Sequence, residues 1–387
     1  MRIVMIKGMI PALDYFTDCI AQGLKDAGIP YYIIDTNELE KTAGDELNRF
    51  VSAEDACFFT FNNIGTLLTE GNDNFWEKYQ VPVYSFIQDH PRNFGDMLNQ
   101  PIKNYSAICL DRKHADFIKR YYPKVENVYF MPNGGMETIP PHPYSERTID
   151  ILYCGDCQEK VKAFPKLEFF EDGGKEFYEK CTLLMQNDYS LTTEEAIEKC
   201  MRSYFPGITD DSLRQINEVI AIYIEFVARR FFKQKVMQAL DTAGFNVEIY
   251  GNNWEDEEYN YGNNIHIHSR ISPKECNDLM GNAKITLNFL PWHKDGCSER
   301  TYNSMLNGSV CLVDESPFLS ETFVNRKDLL FFDMGQPEQM VNRLKELLLE
   351  QDLSTLACIA ANGYEKCKEK ETWLNRAEEI VRIMNTR

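Results

Sequence analysis

The chain has 387 residues, of which 43% are hydrophobic and 26% are charged, and its formal net charge is −19. This length predicts two or three domains. The negative field repels nucleic-acid phosphates, so no nucleic acid is expected as a partner. The sequence contains no run of about 18 apolar residues, and no transmembrane segment is expected.

The N-terminal residues and the cysteines bear on the location of the protein. Residues 1–8 enter a strand-like run and lack the layout of a signal peptide. The 12 cysteines are scattered without the spacing of a disulfide framework, and most lie in apolar surroundings. We therefore expect a cytoplasmic protein.

Short apolar runs separated by helical stretches make up the first part of the chain. This alternation indicates parallel strands that are buried on both faces. The predicted strands are residues 3–6, 31–34, 56–61, 83–87, 107–110 and 128–131. A proline-rich stretch at residues 140–143 disfavours helix and sheet and is interpreted as an interdomain linker.

A second series of apolar runs follows the linker, and the chain is helical from Pro337 to its end. The predicted strands are residues 149–154, 247–250, 265–268, 285–289, 310–313 and 329–332. Two such series predict an α/β protein with two doubly wound, Rossmann-like domains that face a cleft. The predicted parts are residues 1–145, residues 146–355, and C-terminal helices 356–387 that pack back toward the N-terminal domain.

The alternation of strands and helices fails between residues 157 and 234. A structureless loop of this length would be unusual in a folded domain. Residues Thr192–Glu195 have the pattern of a capping box, and residues 211–243 carry apolar side chains at helical spacing. We interpret residues 157–234 as a helical insertion in the second domain.

The segment 285–314 is the strongest candidate for a binding site. It predicts a strand, a polar loop, a short helix and a second strand, so its polar residues lie where ligands bind in a parallel sheet. The guanidinium of Arg300 can grip phosphate oxygens, the amide of Asn303 can bond ribose hydroxyls, and Gly296 allows a close approach. An ordinary solvated helix face is the alternative interpretation. The polar side chains at the start of the helix are Ser298, Glu299, Arg300 and Asn303.

A second group of polar residues follows the predicted strand 83–87. Asp89 and His90 come directly after this strand, and either group could deprotonate an acceptor hydroxyl. The alternative is an aspartate that caps a turn before Pro91. His114 lies on a charged helix and is expected to be solvated.

The order of these elements resembles the GT-B glycosyltransferases, in particular the group-1 branch that includes CgeB-like proteins. Residues 283–314 are similar to the C-terminal signature of this branch, and residues 84–91 are the best matching piece of the first half. The strand and glycine turn that end at Gly155 look like the opening of such a C-terminal domain. The resemblance covers most of residues 149–350 outside the insertion.

The resemblance implies that the second domain binds a nucleotide-diphosphate sugar as co-substrate, with no other cofactor and no essential metal. Many retaining relatives carry two glutamates separated by seven residues, and the matching positions here are Asp295 and Asn303. Asp295 keeps a carboxylate that could act on the sugar, whereas Asn303 keeps only hydrogen bonding. Retention of the anomeric configuration therefore cannot be inferred.

Further donor-binding residues are implied by the same family. The loop of His268 and Arg270 would border the nucleobase. One of the basic residues Arg230, Lys233 and Lys235 would reach the diphosphate, and Arg230 and Lys235 are the predicted donor-binding residues. His266 and His268 alternate on a strand, but no third ligand with suitable spacing follows, so no metal site is predicted.

The resulting hypothesis is a glycosyltransferase that moves a sugar from a nucleotide-diphosphate sugar to a glycan, protein or small-molecule acceptor. The first domain and the insertion would bind the acceptor. One alternative is a GT-B-like sugar- or nucleotide-binding protein without transferase activity. Another is a sugar-nucleotide epimerase of the same architecture.

Overall fold

The computed structural model describes residues 1–38, 43–52, 55–138, 140–158, 172–255, 261–290, 293–349 and 353–386. The chain divides into two compact units, the first formed by Met1–Gly134 with Lys370–Arg387 and the second by Gly135–Glu369. The division falls before the predicted linker, and only the last part of the predicted C-terminal helical segment joins the first unit.

The first unit is built on a six-stranded parallel sheet with the order β2-β1-β3-β6-β7-β8. The six predicted strands are all present, and β3, β6 and β7 are buried along their whole length. The strands of this unit are β1 (Arg2–Lys7), β2 (Tyr31–Asp35), β3 (Ala56–Phe61), the hairpin β4 (Thr69–Glu70) and β5 (Asp73–Asn74), β6 (Val83–Ile87), β7 (Tyr105–Cys109) and β8 (Asn127–Phe130). Its helices are α1 (Pro11–Asp26), α2 (Ala43–Val51), α3 (Phe75–Lys78), α4 (Gly95–Asn99), α5 (Arg112–Tyr121) and, at the C-terminus, α14 (Trp373–Asn385).

Helix α14 completes the core of the first unit although it is the last element of the chain. The ring of Trp373 lies 4.8 Å from the ring of Phe16 on α1. The Arg376 Nε donates to the carbonyl of Asn133 at 3.1 Å. A side chain at Gly134 would lie 2.5 Å from the backbone nitrogen of Trp373, so only glycine allows this approach.

The second unit also contains a six-stranded parallel sheet, with the order β11-β10-β9-β12-β13-β14. From β9 the chain first adds β10 and β11 on one side, and it then adds β12, β13 and β14 on the other side. The strand order therefore reverses between β9 and β12, which opens a crevice at their carboxyl ends. The strands are β9 (Ile149–Cys154), β10 (Val247–Tyr250), β11 (Ile265–His268), β12 (Ala283–Asn288), β13 (Val310–Asp314) and β14 (Leu330–Phe332). The helices are α6 (Asp172–Asn187), α7 (Thr193–Tyr204), α8 (Asp210–Thr242), α9 (Pro273–Met280), α10 (Glu299–Leu306), α11 (Pro317–Thr322), α12 (Pro337–Leu344) and α13 (Leu353–Lys370).

The insertion between β9 and β10 is helical, as the sequence predicts, and its residues 159–171 lie outside the described part. Thr192 and Glu195 form the predicted capping box at the start of α7. Helix α8 has 33 residues and takes part in two cores. Its first half packs with α6 and α7, and its second half packs on the sheet through Phe232 and Val236 among others. No helix within the described residues is long and apolar enough to cross a membrane.

Candidate functional site

The carboxyl ends of β9, β10 and β12 meet at the reversal of the second sheet. Strand β9 pairs with β10 through Cys154 and Tyr250, and with β12 on its other side. Helix α10 follows β12, so its N-terminus lies at the same edge of the sheet. Backbone N–H groups and the positive end of a helix at such an edge favour an anion.

Arg300 reaches this edge from the first turn of α10. Its Nη1 donates to the carbonyl of Cys154 at 2.8 Å, and the side chain is 27% exposed. A Cβ at Gly155 would lie 2.6 Å from the same nitrogen, so the absence of a side chain at Gly155 makes room for the guanidinium. The structure thus brings together Arg300 and Gly155, two residues that the sequence separately predicted to bind the donor.

Lys233 is a second cation at this edge. Its Nζ donates to the carbonyl of Asp156 at 2.9 Å, and the residue is only 4% exposed. The pKa of Lys233 is lowered to about 7, mainly by burial. The charges of Arg300 and Arg229 act in the same direction, whereas Cys157 and Asp156 oppose the shift. At pH 7 a buried amine with this pKa is only partly protonated, and an anion that binds beside it favours the protonated form.

The sequence offered Arg230, Lys233 and Lys235 as alternatives, and Arg230 and Lys235 were the two predicted donor-binding residues. In the structure, the Arg230 Nη1 donates to the carbonyl of Gln158 at 2.7 Å, and the Lys235 Nζ donates to the carbonyl of Gly335 at 2.8 Å. Lys233 and Lys235 differ by about 200° around the helix axis, so only one of them can point at the crevice. The signal was present in the sequence, because residues 229, 232, 233, 236, 237 and 240 form one buried helical face.

Aromatic side chains form a platform beside the two cations. The rings of Tyr250 and His268 stack with centroids 4.4 Å apart, and His268 is exposed. The His268 Nε2 lies 2.5 Å from the carboxylate of Glu248. The Arg270 Nη1 lies 3.3 Å from the carboxylate of Asp156, which links this loop to the turn after β9.

Residues 289–298 connect β12 to α10, and residues 291–292 of this connection lie outside the described part. The loop 293–298 is the part that leads into α10. The carbonyl of Gly296 accepts from the hydroxyl of Ser316 at 2.8 Å. The hydroxyl of Ser298 accepts from the amide of Asn288 at 3.0 Å and makes no cap to the helix. Asp295 is half-buried, with its Oδ1 shielded from solvent. The contacts of Gly296 and Ser298 therefore fix the backbone of the loop on the C-terminal side of Asp295.

Two predicted residues on α10 have different surroundings from Arg300. The amide oxygen of Asn303 accepts from the backbone nitrogen of Met136 at 2.8 Å, and Asn303 is 6% exposed. Glu299 lies 3.8 Å from the Nε of Arg300 and is half-buried. Glu299 therefore lies beside the guanidinium of Arg300, whereas Asn303 binds the backbone at Met136.

Asp89 and His90 in the first unit also differ in their surroundings. The carboxylate of Asp89 accepts from the amide of Asn62 at 2.9 Å, and Asp89 is exposed. The Nδ1 of His90 accepts from the backbone nitrogen of Arg92 at 3.2 Å, and His90 is 5% exposed. His90, not Asp89, therefore caps the 3-10 turn that follows, which leaves Asp89 as the more accessible group.

The expectation of a solvated His114 was wrong. His114 is 1% exposed, and its ring lies 4.6 Å from the ring of His90. The charged residues around it in sequence lie on the opposite side of α5, so the histidine falls on the buried face. Within the described residues, no three histidine, cysteine, aspartate or glutamate side chains are grouped as a metal site.

Residues 229–382 match the family described as glycosyl transferase-like. Among solved structures, Anabaena HepE in complex with UDP and glucose aligns over 100% of both chains with a TM-score of 0.55 and 9% identity. A DNA modifying β-glucosyltransferase, solved with and without UDP-glucose, aligns over 100% of both chains with a TM-score of 0.52 and 13% identity.

Sucrose-phosphate synthase from Thermosynechococcus elongatus aligns over 99% of this chain and 98% of its own, with a TM-score of 0.50 and 12% identity. The chain spans 56% of the length of TarM, which has a TM-score of 0.49. No curated protein sequence matches the chain. The predicted GT-B fold class is confirmed by the full-length structural matches, and the predicted enzyme class, a glycosyltransferase, by the family match.

Proposed function

We propose that this protein transfers a sugar from a nucleoside-diphosphate sugar to an acceptor, and that the second unit binds the donor. The observation that carries this proposal is the pair of cations formed by Arg300 and Lys233 at the carboxyl edge of the second sheet. Negative charge builds on the diphosphate as the sugar leaves. Preorganised cations and the N-terminus of α10 offset that charge.

The neighbouring groups suit the other parts of such a donor. The stacked rings of Tyr250 and His268 offer an apolar face to a nucleobase, with Arg270 at the rim. The carboxylate of Asp295 can bond sugar hydroxyls from the loop 293–298. In this arrangement Asp295 orients the sugar, and Arg300 with Lys233 holds the diphosphate.

We take a UDP-sugar as the first donor to test. HepE is bound to UDP and glucose in its structure, and the β-glucosyltransferase is described with UDP-glucose. Both are similar to this chain over the full length, although at 9% and 13% identity. The CgeB-like branch of the group-1 enzymes is part of this proposal and rests on the signature at residues 283–314.

On the acceptor side we propose Asp89 as the base. It follows β6 at the carboxyl edge of the first sheet and is more accessible than His90. The β-glucosyltransferase is a DNA modifying enzyme, but a net charge of −19 argues against a nucleic-acid acceptor here. A glycan, a protein or a small molecule is the acceptor that we propose.

We also propose that transfer needs no metal, because Arg300 and Lys233 would supply the positive charge that the diphosphate requires, and that the protein works in the cytoplasm. The 12 cysteines form no disulfide in the structure, which agrees with a reducing compartment. Donor binding that is unchanged by EDTA would agree with the first proposal. Binding that requires added Mg²⁺ would contradict it.

A thermal-shift screen of nucleoside diphosphates and their sugars tests the donor. A ligand that binds only the folded state raises the melting temperature, so UDP and UDP-glucose are expected to stabilise the protein. Slow hydrolysis of UDP-glucose that is abolished in Arg300→Ala would exclude a protein that only binds. Interconversion of free sugar nucleotides without acceptor would instead reveal an epimerase.

A further inference from the structure

Tyr189 connects the helical insertion to the carboxyl edge of the second sheet. It lies between α6 and α7, and its hydroxyl donates to the carboxylate of Asp314 at the end of β13. The same carboxylate accepts from the backbone nitrogen of Leu290 at 2.6 Å, and Leu290 is the second residue after β12. One buried carboxylate thus joins the insertion to the strand that leads into the loop 293–298.

Lys294 adds two further contacts between Tyr189 and that loop. Its Nζ donates to the backbone carbonyl of Tyr189 at 2.7 Å and lies 3.4 Å from the centroid of the Tyr189 ring. The contact of the cation with the aromatic face weakens if the ring moves, and the charge-assisted hydrogen bond weakens if the backbone of Tyr189 moves. Lys294 immediately precedes Asp295, so the position of Tyr189 is coupled to the backbone that carries the proposed sugar contact.

The ring of Tyr189 also reaches the helix of the second cation. Its centroid lies 4.9 Å from that of Phe232, which precedes Lys233 on α8. Asp314 is 2% exposed, and burial raises its pKa to about 6 although Tyr189 and Lys294 favour the ionised form. A buried carboxylate that loses a hydrogen-bond donor is costly, so the contact has a strong preference for one geometry.

We propose that Tyr189 is a positioning residue that holds the loop 293–298 against the sugar of the donor. The inference rests on the proposed function, because it assumes that this loop contacts the sugar. It gives the insertion a role on the donor side, in addition to the acceptor role that the sequence suggested. The expected effect concerns the sugar and spares the nucleotide, since the contacts of Arg300 and Lys233 do not involve the hydroxyl of Tyr189.

The test compares Tyr189→Phe with wild type in calorimetric binding of UDP and of UDP-glucose, and in hydrolysis of UDP-glucose. The variant removes only the hydroxyl. We expect unchanged UDP affinity, an affinity for UDP-glucose that falls about tenfold, and a similar fall in kcat. Tyr204→Phe is the matched control, because it removes a hydroxyl that donates to the carboxylate of Glu176 at 3.2 Å within the insertion, and it should behave as wild type.

Lys294→Met provides a second variant if Tyr189→Phe does not fold, and the same selective loss is expected of it. Equal losses for UDP and UDP-glucose, or no loss for either, would overturn the role of Tyr189. A wild-type protein that binds neither ligand contradicts the proposed UDP-sugar donor itself. That outcome appears before any variant is made, so the two failures are distinguishable.

Discussion

Lys233 and Arg300 donate to the backbone carbonyls on the two sides of Gly155, Lys233 to Asp156 and Arg300 to Cys154. They come from different helices, α8 and α10, that reach the same turn after β9. Each cation is held by a neutral carbonyl, so its charge is not cancelled by a carboxylate at that contact. This arrangement presents the guanidinium of Arg300 and the amine of Lys233 to a ligand at the crevice.

Arg300→Ala is expected to weaken UDP binding by about 1.5–3 kcal/mol, the range for a charge-assisted hydrogen bond. Isothermal titration calorimetry at one salt concentration measures this change. Arg202→Ala is a control, because Arg202 pairs on the surface with Glu198 within α7. Wild-type affinity in Arg300→Ala would place the diphosphate elsewhere.

The affinity for UDP is expected to fall as the pH rises above about 7. The pKa of Lys233 is lowered to about 7 without ligand, and the diphosphate favours the charged amine, so binding takes up a proton. The loss is at most about tenfold per pH unit for one proton. The titratable groups that influence Lys233 are Arg229, Arg300, Asp156 and Cys157.

Calorimetry in two buffers with different ionisation enthalpies measures this proton uptake directly. Lys233→Met should bind UDP more weakly and without the pH dependence between pH 7 and 9, because the titrating amine is gone. Lys235→Met, which removes a cation bonded to Gly335, should keep it. A pH dependence that survives in Lys233→Met would assign the proton to another group.

Asp89→Asn is expected to lower turnover with acceptor while donor affinity stays at the wild-type value. The amide keeps the size of the side chain but cannot accept a proton. Asp116→Asn on α5, a change at an exposed carboxylate, serves as the control. Wild-type turnover in Asp89→Asn would contradict a role as base and leave Asp89 only as a hydrogen-bond partner of Asn62.

Gly155→Ala is expected to weaken UDP binding with little change in the strands themselves. The added Cβ would lie 2.6 Å from the Nη1 of Arg300 and 2.8 Å from the hydroxyl of Tyr153, so the guanidinium must move. Gly207→Ala, where a Cβ would meet nothing within 4 Å, is the matched control. Normal UDP affinity in Gly155→Ala would show that Arg300 can shift without loss.

Apolar runs were enough to predict all twelve strands of the two parallel sheets, because strands buried on both faces leave a continuous hydrophobic signature. The capping box of Thr192 and Glu195 could also be predicted from the sequence, because it involves residues only three positions apart. The hairpin at residues 69–74 was missed because its strands have only two residues each.

Only the tertiary structure decided which cations converge on the turn of Gly155. Arg230, Lys233 and Lys235 are near neighbours in sequence, and a helix register of about 100° per residue separates them in space. The contacts of His90 and Asn303 could not be predicted from the sequence either. In the structure His90 caps the turn at Arg92, and Asn303 accepts a hydrogen bond from the backbone of Met136. Sequence pattern determines which faces are buried, whereas the partners of a polar side chain depend on elements that are distant in the chain.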